Sequence, residues 1–471
     1  MIYWRMEARS VLSVGALERM HGAAVAMLER TGLRIDNDEI RAAVSSRRGF
    51  TLRDGRVRIA ADRVAAWRAS RPAPVGPAVL PPPGTQPKRI FSVGNRPSFV
   101  VDRDLATVRP MTRRDVIDGS KLIAVLADRG VVGTTPGVPS DAPLTLQGIE
   151  QFVIAARYAP SGGATCQIAD LRTAEYVRRM NAVYGRKFGC QAHCPSPLIL
   201  GGPELDILWH YRDRLDHAGV GSMPMMGVTG PCDPVGVFTL SIAECIGGAA
   251  VLHELLPGVP VNASPHPEPA DMRTGCIVFG SPEWEVLDLM HRDVYRFYGR
   301  EHNAKLMLTG APLPGAQAAA EHAVSATTGM LAGCIQFGSL GQLSLDEVFS
   351  PAMLLLDLDI VRHAARVAEG AVGGEGLDIE GLAGVVDEVV THGELFAEHP
   401  TTVANMRRQY AQPAVFTRCA RAGWEALGRP DAVRAAQQEA ERLVSLYNYE
   451  APAAIVKEVE KIAGEARRTL R

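Results

Sequence analysis

The chain has 471 residues, 46% of them hydrophobic and 22% charged, globular proportions that exclude a disordered or fibrous protein. Its 50 Lys and Arg are matched by 52 Asp and Glu, for a net charge of −2, without long runs of one sign. That balance excludes the basic excess used to hold nucleic acid or anionic membranes, and favours a small molecule or a protein as partner.

The opening Met1-Ile2-Tyr3-Trp4-Arg5-Met6-Glu7 leads into Ala8-Arg9-Ser10 before any sustained apolar run, so no signal-peptide core is expected and a cytoplasmic location is. Apolar residues at Leu17, Met20, Ala24 and Leu28 recur at helical spacing, and the helix they predict ends near Gly32. A second short helix is expected near Asp38 to Val44. The run Phe50 to Ile59 reads as two short strands around the Asp54-Gly55 turn. The proline-rich Pro72 to Pro87 segment then marks a boundary. Residues 1–90 thus read as a small α+β appendage.

From about residue 110 short β-branched or apolar runs alternate with amphipathic helices. The strand candidates are 131–135, 164–168, 188–193, 220–227, 259–263, 305–308 and 335–338, with an eighth at Ser98 to Val101. Ser281-Pro282 and Ser350-Pro351 place an N-cap serine before a proline at the first helical position. Gly219, Gly258 and Gly299 are expected to close helices as left-handed caps. Repeated strand-helix units imply a parallel sheet, and seven or eight of them imply a closed one: a (β/α)8 barrel of the TIM type over 91–390. After about residue 390 helices follow one another without strands, near 395–410, 418–427, 432–446 and 453–470. They are expected to wrap the barrel or to build a dimer face in a homo-oligomer.

Ile242 to Leu256 is the most apolar stretch. Glu244, His253 and Glu254 interrupt it, and it reads as too short and too polar to span a bilayer. The eight cysteines are scattered, as reduced buried thiols are in a large intracellular protein.

In such barrels chemistry sits at the C-terminal ends of the strands. The loops there, including 135–137, 191–197, 223–231, 264–267, 309–311 and 338–341, are rich in Gly, Pro, Ser, Thr and His. Small residues would let a large planar cofactor or a partner protein approach the backbone. Cys190, His193 and Cys194 have ligand chemistry, but on a strand His193 and Cys194 point to opposite faces, so no metal is expected on this segment. No dinucleotide fingerprint, Walker lysine or nucleophile elbow is present.

Met223-Pro224-Met225-Met226-Gly227-Val228-Thr229-Gly230-Pro231, Ala243-Glu244, Pro257-Gly258-Val259-Pro260-Val261, Asp271-Met272-Arg273-Thr274-Gly275 and Gly280-Ser281-Pro282-Glu283 resemble blocks of the trimethylamine methyltransferase family. So do Gln317 with Glu321, the segment from Gly341 to Ser350, and His399-Pro400-Thr401-Thr402 with Trp424. The resemblance runs from Leu12 to the end of the chain. It implies a barrel that moves a methyl group from a methylated amine to the Co(I) of a cobalamin (corrinoid) carried by a separate corrinoid-binding protein. Some members carry pyrrolysine, and others lack it and act on quaternary amines such as glycine betaine. No nonstandard residue occurs here, and Leu308 to Pro314 is less polar than the family pattern.

His193, Asp271 and Glu321 are the candidate catalytic side chains. Arg273, Gln317, Phe279, Phe337 and Gln336 are the candidate substrate-binding ones. A methylated cation should rest against aromatic faces or a carboxylate, with Trp284 and Tyr298 as further aromatic candidates. Arg273, held by Asp271, would grip the carboxylate of a betaine. Two rival readings share these residues: a barrel enzyme of another type, such as direct methyl transfer to tetrahydrofolate or a lyase, and a non-catalytic binder of methylated amines or corrinoid proteins.

Overall fold

The computed structural model describes residues 10–76, 88–165, 168–369 and 378–470. The first nine residues, most of the Pro72 to Pro87 boundary, and Cys166-Gln167 within the candidate strand 164–168 lie outside the described residues.

Helix Val14–Arg30 starts where the Ser13 hydroxyl accepts the Ala16 N–H, and it buries Leu17, Met20, Ala24 and Leu28, the stripe expected from their spacing. The hairpin Phe50–Arg53/Arg56–Ile59 turns through Asp54 and Gly55 at φ 52° and 73°, the positive values that a two-residue turn demands. Helix Ala61–Ala69, which the sequence pattern did not announce, sends the Trp67 indole to the Val261 carbonyl at 2.9 Å. A two-residue parallel bridge joins Arg34–Ile35 to Ile199–Leu200. The N-terminal elements therefore share one hydrophobic core with the body of the protein, in which Leu28 and Leu33 pack with Val220 and Ala249.

Two all-parallel sheets form that body. One has the order Ala304–Leu306, Gln336–Gly338, Ile90–Ser92, Val131–Val132, and the other the order Gly189–Cys194, His217–Ser222, Val261–Pro265. Helices lie between successive strands, as parallel connections require. Within the first sheet the latest strand, 336–338, pairs with the earliest, 90–92. Among the described residues no ladder joins the two sheets.

Three expectations change. Phe99–Val101 is a strand, but it belongs to a separate four-stranded sheet, paired antiparallel with Val108–Pro110 and parallel with Val348–Phe349, which in turn pairs antiparallel with Gln342–Leu343. The place expected for it in the parallel sheet is taken by Ile90–Ser92, three residues too few to show a period. Gly219 does not cap a helix; it sits inside the His217–Ser222 strand opposite Gln191 and Asn262. Gly258 and Gly299 do adopt positive φ. Finally, the apolar stretch at 242–256 is part of a continuous helix, Pro234–Leu255, whose 22 residues are long and apolar enough to cross a membrane by length and composition. It is instead the central helix of the core, with 89% of its most apolar window buried in protein. Glu244, which breaks the apolar run, is itself buried there. Its carboxylate accepts the Leu198 N–H at 2.8 Å and the Ser196 hydroxyl at 2.9 Å.

The C-terminal helices fall close to their expected positions. Ala432–Ser445 packs on Pro351–Ala368 and Arg113–Val125, and Ala453–Thr469 packs on Leu144–Tyr158 and Leu171–Val183. These two helices wrap the parallel body. Helix Ile379–His392 instead exposes Ile379, Leu382, Val386 and Val390 at helical spacing.

Candidate active site

Alternation along the strands decides which side chains can meet a ligand. In the second sheet Cys194, Val220 and Ser222 turn toward helix Pro234–Leu255. The Cys194 thiol lies 3.7 Å from the Glu244 carbonyl, and the Ser222 hydroxyl is 2.6 Å from that of Ser241. Their neighbours Gln191, His193, Gly219, Gly221, Asn262 and Ser264, brought level by the parallel register, turn to the opposite, inner face. The Gln191 side chain lies over Gly221, where a Cβ would stand 2.7 Å from its amide nitrogen. His193 keeps a side chain 45% exposed, 3.4 Å from Gln191 and 3.8 Å from the Glu204 carboxylate.

The first sheet follows the same logic. Lys305 and Phe337 face helix Ala316–Leu331, where a Cβ on Gly329 would touch both. Leu306, Gln336 and Gly338 therefore share the inner face, with Ser92 beside Gly338. This places Gln336 on the inner wall, at the first position of its strand. It also removes Phe337 from the binding set. The ring is fully buried, 6.4 Å from that of Phe91, in the layer between sheet and helices. Adjacent residues on a strand point opposite ways, so Gln336 and Phe337 cannot both line one cleft.

Beyond the end of Ala304–Leu306 the chain runs through Thr309 and Gly310 past helix Ala316–Leu331. Half-buried Glu321 on that helix accepts the Thr309 hydroxyl, the Gly310 N–H at 3.2 Å and the Gln317 amide at 2.9 Å. Gly280, at φ 72°, closes another side, since a Cβ there would lie 3.0 Å from the Glu321 carboxylate. Space stays open above Gly310, where a Cβ would meet only the Gln317 amide, at 3.8 Å. Glu321 and Gln317 thus form one exposed polar station at the C-terminal end of the sheet. Thr309, which the sequence reading left out of the candidate set, completes it.

Phe279 is buried beneath this station, edge-on to Trp284 and packed with Leu308. Trp284 already carries a cation on its face, the Lys305 ammonium at 4.1 Å. Tyr298 packs instead against His21 and Trp67 at the N-terminal elements. Asp271 and Arg273 occupy an exposed loop closed by an Ala270–Ile277 bridge. Both arms of the Arg273 guanidinium bind Asp271, at 2.9 and 3.2 Å, and its side chain is 89% exposed. The Arg273 hydrogen bonds hold the Asp271 carboxyl down at about 2. The structure therefore brings Glu321 and Gln317 together and His193 beside Gln191, and it sets the Asp271–Arg273 pair on a separate loop over Gly227.

Comparison with known proteins gives the family. Residues 2–463 match the family described as Trimethylamine methyltransferase (MTTB). A glycine betaine methyltransferase of Desulfitobacterium hafniense (strain Y51) is 22% identical over 428 residues, 88% of each chain. A trimethylamine methyltransferase of Desulfitobacterium hafniense (strain DSM 10664 / DCB-2) is 24% identical over 453 residues, 92% of this chain and 89% of that one. The crystal structure of the Methanosarcina barkeri monomethylamine methyltransferase overlaps 96% of this chain and 86% of its own at 12% identity, with a TM-score of 0.45. A match that spans 2–463 shows membership: this chain belongs to the trimethylamine methyltransferase family.

Proposed function

We propose that the protein is a methyltransferase that takes a methyl group from a small quaternary or tertiary methylated amine, of the betaine kind, and delivers it to the Co(I) of a corrinoid carried by a separate protein. The family match along 2–463 is the observation that carries this reading. The proposal includes closure of the two parallel sheets into a (β/α)8 barrel, supported by the pairing of the latest strand, 336–338, with the earliest, 90–92. It also includes a cytoplasmic setting.

The residues at the open end suit a macrocycle brought by a partner. Gly219, Gly221 and Gly338 add no side chains of their own to the inner face, and Met223, Val228 and Met272 expose apolar surface on the loops around it. When bound, the corrinoid supplies the nucleophilic cobalt that accepts the methyl group. The chain's own residues have the remaining tasks. Glu321, fixed by Thr309, Gly310 and Gln317, offers a preoriented carboxylate to a methylated cation and holds it in one orientation. Gln191 and His193 line the inner wall beneath the mouth and define how deep the substrate sits. A quaternary amine is already cationic and departs as a neutral amine with the C–N electron pair, and a tertiary amine bound as its ammonium ion departs as a neutral secondary amine that keeps its own proton, so no side chain has to supply one. Orientation and exclusion of water are the main contributions required.

The test is spectroscopic. Purified protein mixed with cob(I)alamin and a panel of methylated amines (glycine betaine, carnitine, tetramethylammonium, trimethylamine) should convert the Co(I) spectrum to that of methylcobalamin with at least one of them. No conversion with any panel member, with free or protein-borne corrinoid, would remove the assignment. Amine binding without conversion would leave a binding protein.

A further inference from the structure

Between Val261–Pro265 and Ala304–Leu306 the two sheets are joined by no ladder among the described residues. The seam is filled by side chains. Arg300 donates to the Ala263 carbonyl and the Ser264 hydroxyl at 2.9 and 2.8 Å and stacks on Tyr295. Beside it three aromatic rings crowd His291: Tyr295 at 3.9 Å, His266 at 4.1 Å and His302 at 4.7 Å.

Within this cluster the ligand atoms of Asp288, His291 and His302 all lie within 4.8 Å of one another. Asp288 and His291 are three apart on helix Pro282–Phe297 and so share a face, and His302 comes from the loop that leads into Ala304–Leu306. An independent sign of a missing ligand is His291. It is 3% exposed, and both its ring nitrogens are buried without a hydrogen-bond partner. A buried imidazole left so is costly, and buried orphans point to an unseen water or ion. Of the nearby cations, Arg292 is engaged by the Ala332 carbonyl and the Cys334 thiol, whereas Lys305 bridges Glu285 and one carboxylate oxygen of Asp288 itself. His266 is held by Glu268 at 3.0 Å.

We propose that Asp288, His291 and His302 bind a divalent transition ion of the zinc type, which pins helix Pro282–Phe297 to the loop before Ala304–Leu306 across the unladdered seam. Two imidazoles and a carboxylate are a borderline donor set suited to Zn(II), with water taking a fourth tetrahedral position. At zinc–ligand distances of about 2.0–2.1 Å tetrahedral ligand atoms stand about 3.3 Å apart, so the three side chains would close in on the ion when it binds. The pattern Asp-x2-His-x10-His matches no familiar ligand spacing, so the sequence reading found no metal here.

The probe is the metal alone, on the full-length protein. After treatment with a chelator and desalting, one equivalent of Zn(II) should rebind by elemental analysis and raise the melting temperature. Co(II) should bind with a ligand-field spectrum of nitrogen and oxygen donors. His302→Gln and His291→Gln should each weaken binding by at least about tenfold, with unchanged circular dichroism, while exposed-site control His210→Gln should not. If a variant fails to fold, the wild-type titration decides. Substoichiometric metal with no rise in melting temperature would overturn the proposal. So would a sulfur-to-cobalt charge-transfer band, or binding that survives both substitutions.

Discussion

Gln317 and Glu321, one turn apart on helix Ala316–Leu331, are joined by a 2.9 Å hydrogen bond in which the amide donates to the carboxylate. Because the Thr309 hydroxyl and the Gly310 N–H converge on the same group, Glu321 is oriented before any ligand arrives. Glu321→Gln keeps the shape and removes the charge. It should lower kcat/KM for a methylated cation by about 10- to 100-fold, equivalent to about 1.4–2.7 kcal/mol, with little change in melting temperature. Steady-state kinetics across the amine panel checks this, and an unaltered kcat/KM would leave Glu321 as a loop anchor only.

Glu244 gives a pH prediction. Burial raises its carboxyl from 4.5 to about 7, against the pull of the Leu198 N–H and the Ser196 hydroxyl, which favour the charged form. A folded value above the unfolded one means that the fold prefers the proton. The associated stability is complete below about 4.5 and is lost as pH rises through about 7, by about 3 kcal/mol in all. Glu244→Gln cannot titrate, so the stability of this variant relative to wild type should rise between pH 5 and pH 8. Denaturant melts at four pH values in that interval measure the difference, and parallel pH profiles for the two proteins would contradict it.

Phe337 distinguishes packing from binding. Its ring fills the layer under Gly329, so Phe337→Ala should destabilise the protein by about 3–5 kcal/mol. At a temperature where the variant is still folded, its KM for the amine should match that of wild type. A large rise in KM with an unchanged melting temperature would return the ring to the substrate site.

Arg273 and Asp271 form an exposed pair closed on itself. Arg273→Lys should leave the melting temperature unchanged, because a pair this open to solvent is well screened. Calorimetry with glycine betaine then separates two roles. Unchanged affinity assigns the pair to ordering the loop, and a loss confined to carboxylated amines makes Arg273 the carboxylate anchor.

Much of this was legible in the sequence where a period or a cap was long enough to read. The Leu17, Met20, Ala24, Leu28 stripe, the Ser281 and Ser350 caps and the Asp54-Gly55 hairpin are local signals, and each matches its element. Ile90–Ser92 escaped notice because three residues carry no period, and Phe99–Val101 was given its place because a strand's own sequence does not name its partner. In the site, Glu321 and Gln317 were visible as neighbours on a helix. Thr309 was not, because its contact depends on where a loop meets that helix. Phe337 misled for a simpler reason: being aromatic and near a strand end says nothing about which face the ring takes. The Asp288, His291, His302 group arises only when the loop before Ala304–Leu306 folds back against the helix.

Methyl transfer from an amine to cobalt is proposed to take place at the Glu321 end of the parallel sheets. The most direct measurement gives the protein 13C-methyl-labelled glycine betaine, trimethylamine and tetramethylammonium in turn, with cob(I)alamin, and follows both products by NMR. With at least one of them 13C-methylcobalamin and the amine shortened by one methyl should appear in equal amounts, and Glu321→Gln should slow both together. Label that stays on every amine, or leaves one without reaching cobalt, would contradict it.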